Sequence, residues 1–290
     1  MMANRRLLIS YAHPDDEAFG LGGLIARYVA EGVDVFLICA TNGDVGTVAP
    51  EFLNGYKSVA ELRLAELDCA AEKLRLKHVY KLGFKDSGMM GSPTSADPDC
   101  LWQAPQAEVT RRVVEVIREV RPQVVITFNK YGGYGHPDHI AIQRATTEAF
   151  NLAGDPAYLT DGQQPYAPAK LYYSSIPTFQ LKLGIWRVRM QGKDPRRLGR
   201  NQDIDMLKIL DNIEPAHAWI DIRRYHAAWN DASLCHASQL GGGTPRIPMS
   251  IRRWLLPHQG FTRVYPPPTN GLREKDLFAG VSTDERIPTP

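Results

Sequence analysis

The sequence predicts an α/β protein whose sheet is Rossmann-like and mostly parallel, with helices on both faces. Short apolar runs typical of buried strands alternate with amphipathic helical patterns through the first half of the chain. In addition, two strand-to-helix junctions, at residues 13–17 and 131–139, concentrate histidines and carboxylates. Repeated strand–helix units place their strands in parallel with right-handed connections, so the alternation itself indicates the sheet.

The predicted elements follow one another closely as far as residue 152. Strands are expected at residues 7–12, 33–40, 78–84 and 123–128, and helices are expected up to Glu31 and over residues 58–74, 105–120 and 140–152. Gly32 occupies the C-terminal cap position of the first helix. Pro122 ends the third helix, because proline lacks a backbone N–H and its ring blocks the preceding turn.

Regular alternation fades after Gly154. Strands are expected at residues 171–176 and 218–222, a helix at 224–238, and an irregular tail from Pro266. We therefore expect a single α/β domain over residues 1–290, with a Rossmann-like core in 1–160 and an elaboration in 161–290 that contributes to the ligand side. No G-x-G-x-x-G motif follows the first strand, which argues against a dinucleotide site.

The composition is typical of a globular protein. With 290 residues, 43% of them hydrophobic and 23% charged, the chain can bury a large core. A net charge of +2 does not indicate a nucleic-acid partner. No stretch approaches the ~20 apolar residues of a membrane span, and the apolar run after Arg6 stops at His13, too early for a signal peptide. These observations predict a soluble cytoplasmic protein.

The four cysteines are scattered, without a C-x-x-C pair: Cys39, Cys69, Cys100 and Cys235. Cys39 lies in an apolar strand pattern and Cys69 in a helical one. We therefore expect buried free thiols rather than disulfides or metal ligands.

The first polar junction, His13-Pro14-Asp15-Asp16-Glu17, lies at the carboxyl end of the first predicted strand. In open α/β sheets, that edge is where ligands bind. Three carboxylates and an imidazole crowded together repel one another unless a cation or a proton holds them. A polar helix N-terminus is the alternative interpretation, but capping needs one acid rather than three with a histidine. The junction therefore favours a divalent metal site.

The second junction, His136-Pro137-Asp138-His139, follows the strand predicted at residues 123–128. Two parallel strands of one sheet would bring both junctions side by side. A catalytic zinc site takes three protein ligands and keeps an open position for water. By residue type, the candidate ligands are Asp15, Asp16, Glu17, His136, Asp138 and His139. The residues alone leave the choice among them open.

Both junctions resemble motifs of a known family, the LmbE-like or PIG-L zinc-dependent N-deacetylases. The matching stretches are Ala12-His13-Pro14-Asp15-Asp16-Glu17 and Gly135-His136-Pro137-Asp138-His139. Residues 63–67 and 83–89 resemble the branch that acts on glucosaminyl-inositol compounds in thiol biosynthesis and on their conjugates, and residues 236–239 are similar to a late family element. The resemblance implies one Zn²⁺ per chain, with His13, Asp16 and His139 as its ligands.

The resemblance also implies roles around the metal. Asp15 matches the general base that removes a proton from the attacking water; orienting a histidine ligand is the alternative role. His136, as imidazolium, would stabilise the oxyanion or protonate the departing amine, with Asp138 favouring the charged form and orienting the ring. Tyr134 resembles a mobile family tyrosine that helps the oxyanion; an aromatic used only for packing is the alternative.

Arg63 and Asp86 resemble the family residues that hold the sugar hydroxyls and inositol. An aspartate accepts two hydroxyl hydrogen bonds and an arginine donates in a fork, so the pair suits a polyol. The alternative for Arg63 is a helix-surface charge paired with Glu66. Glu17 is expected to cap or support the first helix, and Asp44 lies at the same edge of the sheet.

These features predict a zinc-dependent hydrolase that removes an N-acyl group, in the first instance acetyl, from a glucosaminyl compound. One alternative is an amidase that cleaves a larger acyl-cysteinyl conjugate of an amino sugar. Another is a Rossmann-like carbohydrate- or nucleotide-binding module that holds metal without turnover. The absence of the glycine motif argues against a nucleotide ligand. A general base beside the metal ligands argues against a protein that only binds.

The expected partner is a small amino-sugar conjugate, and homo-oligomerisation is left open. Between Lys182 and Arg200, seven basic residues stand against the single acid Asp194: Lys182, Arg187, Arg189, Lys193, Arg196, Arg197 and Arg200. Such a stretch suits an anionic substrate or a phospholipid surface. A solvated loop is the favoured interpretation.

Overall fold

The computed structural model describes residues 5–160, 162–199, 202–240 and 249–282, and it confirms the predicted class of fold. Within these ranges, seven strands form one sheet in the order β3-β2-β1-β4-β5-β7-β6. The strands are β1 (Arg6–Tyr11), β2 (Asp34–Thr41), β3 (His78–Phe84), β4 (Val124–Thr127), β5 (Lys170–Ser175), β6 (Ala218–Asp221) and β7 (His258–Tyr265). Strands β1 to β5 pair in parallel, whereas β7 runs antiparallel to both of its neighbours.

Helices connect and cover these strands. They are α1 (Asp16–Ala30), α2 (Val59–Leu74), α3 (Gln106–Val120), α4 (Gly132–Gly135), α5 (Pro137–Leu152), α6 (Thr178–Met190), α7 (Met206–Asp211), α8 (His226–Cys235) and α9 (Met249–Leu255). The shortest, α4, is a single turn in which Gly133 and Tyr134 have non-helical dihedral angles. None of the helices in the described residues is long and apolar enough to cross a membrane.

The strand order changes direction at β1. From β1 the chain moves outward through β2 to β3, then crosses back to β4 on the other side of β1. Right-handed crossovers therefore place the helices on opposite faces: α1 and α2 pack with α8, and α3 packs with α5. The gap between the carboxyl ends of β1 and β4 is the switch point at which open α/β sheets bind ligands.

Strands β1 and β4 form the centre of the core. Leu8 and Ile9 of β1 are fully buried, as are Val125 and Ile126 of β4. Such continuous apolar runs are typical of parallel strands that are covered on both faces. Leu8 pairs with Val125 and Ile9 with Ile126, so the loops that follow the two strands emerge side by side.

Helix α2 begins with a reciprocal cap. Ser58 Oγ accepts a hydrogen bond from the Glu61 N–H (3.1 Å), and Glu61 Oε2 accepts one from the Lys57 N–H (2.6 Å). The first bond satisfies a backbone donor that the helix leaves unpaired, and the second ties the residue before the cap to the same turn. From this start, α2 turns Arg63 and Glu66 toward the interior, where both are buried.

The second half of the chain extends the sheet. Strands β5 and β6 confirm the two strands expected there, but the sequence analysis missed β7, which lies between them. The polar residues Gln259, Thr262 and Arg263 interrupt the apolar run that marks a buried strand. An antiparallel strand of this kind is defined by its partners more than by its own pattern.

Helix α6 corrects the interpretation of the basic stretch. A solvated loop was expected from Lys182 onward, but Thr178–Met190 is helical, and Leu181 and Ile185 are buried against Ile209 of α7. The expectation failed because the basic side chains obscured the helical spacing of the apolar ones. Arg200 lies outside the described residues.

The expectation of free thiols is wrong for two of the four cysteines. Cys69 of α2 and Cys235 at the end of α8 form a disulfide, with their Cα atoms 5.8 Å apart. Packing of α2 against α8 brings the pair together across a sequence separation of 166 residues, which local patterns do not reveal. Cys39 and Cys100 are buried free thiols, as expected.

Candidate active site

The loops after the central strands meet at the switch point. The loop after β1 carries His13 and Asp15, α1 begins at Asp16, and α4 leads from β4 toward His136 and His139. This second connection is tight because glycines with positive φ make it up. A Cβ added at Gly132 (φ 66°) would lie 2.9 Å from the Cβ of His139, so only glycine lets the chain approach so closely.

The three predicted metal ligands converge. His13 Nδ1 lies 3.1 Å from His139 Nε2. The Asp16 carboxylate lies 3.5 Å from His13 Nδ1 and 3.4 Å from His139 Nε2. Both histidines are buried, and the Asp16 side chain is only 13% exposed.

The other contacts of the two rings determine which nitrogens can accept. His139 Nδ1 lies 3.0 Å from the Gly132 carbonyl oxygen, which can only accept, so Nδ1 carries the proton. His13 Nε2 donates in the same way to the Asp138 carboxylate, at 3.0 Å. When both rings are neutral, as metal ligands must be, His13 Nδ1 and His139 Nε2 therefore face each other as acceptors beside a carboxylate. Histidines that hold a metal are oriented by such bonds on their other nitrogen.

The charges around His13 attract a cation. Burial alone would lower the pKa of His13, but Asp86, Asp138 and Asp16 raise it well above its usual value. Burial would likewise raise the pKa of Asp16, yet His139 and His13 hold it well below its usual value. The donor set and its field thus fit a bound cation.

Other groupings of possible ligands overlap this set. The ligand atoms of His13, His136 and His139 lie within 4.8 Å of one another, as do those of His13, Asp86, His136 and Asp138. Asp138 is a poor ligand here, because its carboxylate already accepts from His13 and from the Ser87 N–H (2.9 Å) and hydroxyl. The hydrogen bonds therefore favour His13, His139 and Asp16.

The same contacts connect the Asp138 carboxylate to His13. Its carboxylate orients His13, whereas it reaches His136 only through its backbone N–H, which donates to His136 Nδ1 at 3.2 Å. Burial, followed by the nearby histidine charges, holds the pKa of His136 well below its usual value. The contacts of Asp138 therefore orient His13, and its expected effect on the charge of His136 stays a prediction.

Asp15 has an unusual backbone conformation beside the ligands. Its φ is 122°, a region that glycine occupies far more readily than aspartate. Its N–H donates to Glu17 Oε2 (3.0 Å), and its carboxylate pairs with the Arg63 guanidinium (3.0 Å). Burial raises the pKa of Asp15 to about 6, and the charge of Arg63 opposes that rise.

Arg63 is a buried connection between loops. Its side chain is 4% exposed and donates to the carbonyl oxygens of Pro14 (2.6 Å) and Gly43 (2.9 Å) as well as to Asp15. Its Nη1 lies 3.7 Å from the Asp86 carboxylate. Arg63 thus joins the loop after β2 to the loop after β1.

A pair of buried contacts behind the site was missed by sequence reasoning. His236 Nε2 lies 2.7 Å from Glu17 Oε1, and both side chains are fully buried. Ser238 donates to Glu66 through its N–H (2.8 Å) and its hydroxyl (2.7 Å), so the surface pair of Arg63 with Glu66 is wrong. The resemblance had marked this stretch without giving it a role; a histidine and a serine just beyond a helix end were the available signal.

Tyr134 and His136 present hydrogen-bond donors at the opening of the site. Since His136 Nδ1 accepts from a backbone N–H, the neutral ring carries its proton on Nε2. Burial raises the pKa of Tyr134, which keeps the phenol protonated. The Tyr134 ring packs edge-on against His139, with ring centroids 5.0 Å apart.

Two cavities meet at this cluster, and Tyr134 lines both. The larger, about 660 Å³, has a mixed wall with apolar side chains such as Val45, Met89 and Leu240, and with these polar ones: His13, Asp15, Arg63, Asp86, Ser92, Thr94, His136, Asp203 and Gln239. The smaller, about 360 Å³, reaches Asp16 and His139 and has a largely aromatic and aliphatic wall: Tyr11, Phe19, Leu21, Phe128, Ile176, Trp229 and Leu256. The site thus combines an acid, two hydrogen-bond donors and a candidate cation site next to two cavities. These are the parts of a metal-assisted hydrolase.

Proteins named as deacetylases match this chain over most of its length. Residues 8–150 match the family described as PIG-L: GlcNAc-PI de-N-acetylase. A 1D-myo-inositol 2-acetamido-2-deoxy-alpha-D-glucopyranoside deacetylase of Thermobispora bispora is 37% identical, over 97% of this chain and 100% of that protein. One of Thermomonospora curvata is 42% identical, over 82% of this chain and 81% of that protein.

Solved structures share the fold. The N,N'-diacetylchitobiose deacetylase from Pyrococcus horikoshii superposes with a TM-score of 0.59 at 19% identity, covering 90% of this chain and 84% of that one. The sequence matches show that this chain belongs to the PIG-L family.

If His13, Asp16 and His139 hold the metal, the purified protein should carry about one metal ion per chain. His13→Ala and His139→Ala should each remove the metal, because two remaining ligands bind weakly. Elemental analysis measures this, with circular dichroism as the check on folding. His78→Ala, at an exposed histidine of β3, is the matched control and should retain full metal content. Full occupancy in the His13→Ala/His139→Ala protein would contradict the assignment.

Proposed function

We propose that this enzyme removes the acetyl group from the nitrogen of a 2-acetamido sugar joined to myo-inositol. The observation that carries the proposal is the pair of acceptor nitrogens, on His13 and His139, that face each other beside Asp16. Relatives that are named for this deacetylation cover 97% and 82% of the chain, which supports the substrate.

Zn²⁺ is the metal that we assign to the site. Two imidazole nitrogens and one carboxylate suit zinc, and three protein ligands leave a position for water. When bound, the ion lowers the pKa of water towards ~7 and polarises the amide carbonyl. The Gly132 carbonyl and the Asp138 carboxylate hold the two imidazoles in the orientation that this requires.

Asp15 takes the proton of the attacking water. Its pKa of about 6 leaves the carboxylate mostly ionised at neutral pH while keeping it a useful base. Glu17 and Arg63 hold its backbone and its carboxylate in place. Once protonated, Asp15 delivers that proton to the nitrogen of the departing amine sugar.

His136 and Tyr134 stabilise the negative charge that develops on the amide oxygen. Neutral His136 donates from Nε2, and protonated Tyr134 donates from its hydroxyl. Donors that are already positioned in a water-poor site stabilise a developing oxyanion without reorganisation. His136 therefore acts as a neutral donor, in place of the imidazolium first expected.

The sugar and its inositol occupy the larger cavity. Arg63 and Asp86 lie at its inner end, and Asp86 Oδ1 is 3.6 Å from His13 Nε2. Farther out, the wall offers hydroxyl, amide and carboxylate groups: Ser92, Thr94, Asp203 and Gln239. Such groups suit a polyol, whose hydroxyls both donate and accept.

Asp15→Asn should separate the base from the ligands. The amide keeps the shape but cannot accept a proton, so kcat should fall by roughly 10²–10⁴ while zinc stays bound. Asp16→Asn, one residue away, should instead reduce the zinc content. Steady-state kinetics with elemental analysis on both variants measures the difference. Loss of zinc from Asp15→Asn would show that the two aspartates have exchanged roles.

N-acetylglucosamine joined to inositol should be a better substrate than free N-acetylglucosamine, mainly in kcat/KM, because remote hydroxyl contacts position the acetamide. Gln239→Ala should reduce this preference, since Gln239 lines the outer cavity. Gln191→Ala, at an exposed glutamine just beyond α6, is the matched control. Equal hydrolysis of both substrates by the unsubstituted protein would refute recognition of inositol.

The smaller cavity favours a second candidate function, cleavage of amides with acyl groups larger than acetyl. It lies on the side of Asp16 and His139, opposite the polar cavity, where the acyl portion of a bound amide would project. Its volume of about 360 Å³ far exceeds what a methyl group fills. The larger acyl-cysteinyl conjugates considered from the sequence belong to this class.

A series of N-acetyl, N-butyryl and N-hexanoyl forms of one sugar tests this second function. We expect kcat/KM values within about tenfold of one another, because an open apolar cavity does not reject added methylenes. Gly20→Leu should selectively reduce hydrolysis of the longer chains: Gly20 lines the cavity, and a Cβ there meets only Tyr11, at 3.6 Å. A loss of more than roughly 10³ on going from acetyl to butyryl would restrict the enzyme to deacetylation.

A further inference from the structure

Helix α6 has two apolar faces, and only one of them is used by the core. Leu181 and Ile185 are buried against α7. Four other large apolar side chains follow one another at intervals of four, three and four residues, which places them along a single stripe. They are exposed to solvent: Phe179 (75%), Leu183 (45%), Trp186 (60%) and Met190 (69%).

Helix α9 carries exposed apolar side chains as well. Ile251, Trp254 and Leu255 are spaced to lie on one face of α9, and they are 48%, 79% and 39% exposed. The two helices are joined where Gln180 Nε2 donates to the Leu255 carbonyl oxygen at 3.2 Å. We call the seven exposed side chains of α6 and α9 the apolar platform. Several large apolar side chains exposed on two neighbouring helices are typical of an interaction site.

Basic residues surround the apolar platform. Lys182, Arg187 and Arg189 lie on α6, and Arg253 lies on α9; all four are exposed. The loop between α6 and α7 adds Lys193, Arg196 and Arg197, and its acids are Asp194, Asp203 and Asp205. None of the salt bridges formed among the described residues engages these seven cations.

The arrangement of apolar and basic groups identifies the partner by its chemistry. An isologous contact with a second copy would bring the same cations of two chains together, and like charges oppose such contacts. A surface with a negatively charged outer layer and an apolar layer beneath it satisfies both features. Trp and Phe on the apolar side of a helix, with Lys and Arg beside them, are typical of helices that lie in a membrane interface.

We propose that the protein docks on anionic phospholipid membranes through the apolar platform. Phe179, Trp186 and Trp254 enter the boundary between headgroups and acyl chains, and the flanking cations contact lipid phosphates. The smaller cavity of the active site opens beside this surface, since Ile176 and Leu256 line it next to α6 and α9. Docking would direct that opening toward the membrane.

Sedimentation with vesicles tests the proposal on the full chain. Vesicles of phosphatidylcholine alone are compared with vesicles of equal parts phosphatidylcholine and phosphatidylglycerol. We expect about tenfold or more tighter binding to the anionic vesicles. High salt should weaken that binding, because screening shortens the range of surface charges from ~10 Å to ~3 Å between 0.1 M and 1 M.

Two variants and their controls assign the binding to the surface. Phe179→Ser/Trp186→Ser should lose vesicle binding while hydrolysing a soluble acetamido sugar as the unsubstituted protein does, which also shows that it folds. Lys182→Gln/Arg189→Gln should lose most of the preference for anionic lipid. The matched controls are Leu159→Ser, at an apolar side chain that is 86% exposed elsewhere, and Lys77→Gln, at a lysine that is 61% exposed; both should bind as before.

Three results would overturn the proposal. One is equal binding to neutral and anionic vesicles, and another is binding that the Phe179→Ser/Trp186→Ser change does not alter. The third is a dimer in sedimentation velocity that the same change abolishes without any vesicle binding, since the apolar platform would then be a contact between copies. Hydrolytic activity is measured separately, so these results do not depend on the proposed deacetylation.

Discussion

Two imidazole nitrogens, each an acceptor in its neutral ring, lie 3.1 Å apart at the switch point of the sheet with a carboxylate beside them. Their neighbours impose this arrangement: the Gly132 carbonyl takes the proton of one ring, and Asp138 takes that of the other. Neighbouring elements hold the residues of this arrangement in place. The glycine-rich turn of α4 permits the approach of His139, and Ser87 holds Asp138 from the loop after β3.

The first half of the fold and the group of candidate metal ligands could be predicted, because the sequence patterns that indicate them are local. Buried parallel strands are continuous apolar runs, and the helices between them keep their own period. Polar residues at the ends of two such runs must meet if the strands are neighbours. The contact of His13 with His139 is therefore a consequence of topology, even though the two residues lie far apart in the sequence.

The features that sequence reasoning missed depend on long-range packing. The contact of His236 with Glu17, like the disulfide of Cys69 with Cys235, exists because α8 packs on α1 and α2. The contact of Asp138 with His13 was not predicted, because the place of Asp138 on α5 does not reveal which ring faces its carboxylate. Strand β7 was missed because its pairing with the flanking strands β5 and β6, rather than its own sequence pattern, makes it a strand.

The disulfide gives the chain a ring topology. Residues 69–235 form a covalently closed ring, and β1, at the centre of the sheet, belongs to a tail outside it. Leu159, which is 86% exposed, lies in the ring between α5 and β5. Proteolytic cleavage there opens the ring without separating the two pieces, so the nicked protein keeps its full mass until a reductant releases them. The halves that supply Asp15 and His236 would thus stay joined after a cut that divides an ordinary chain in two.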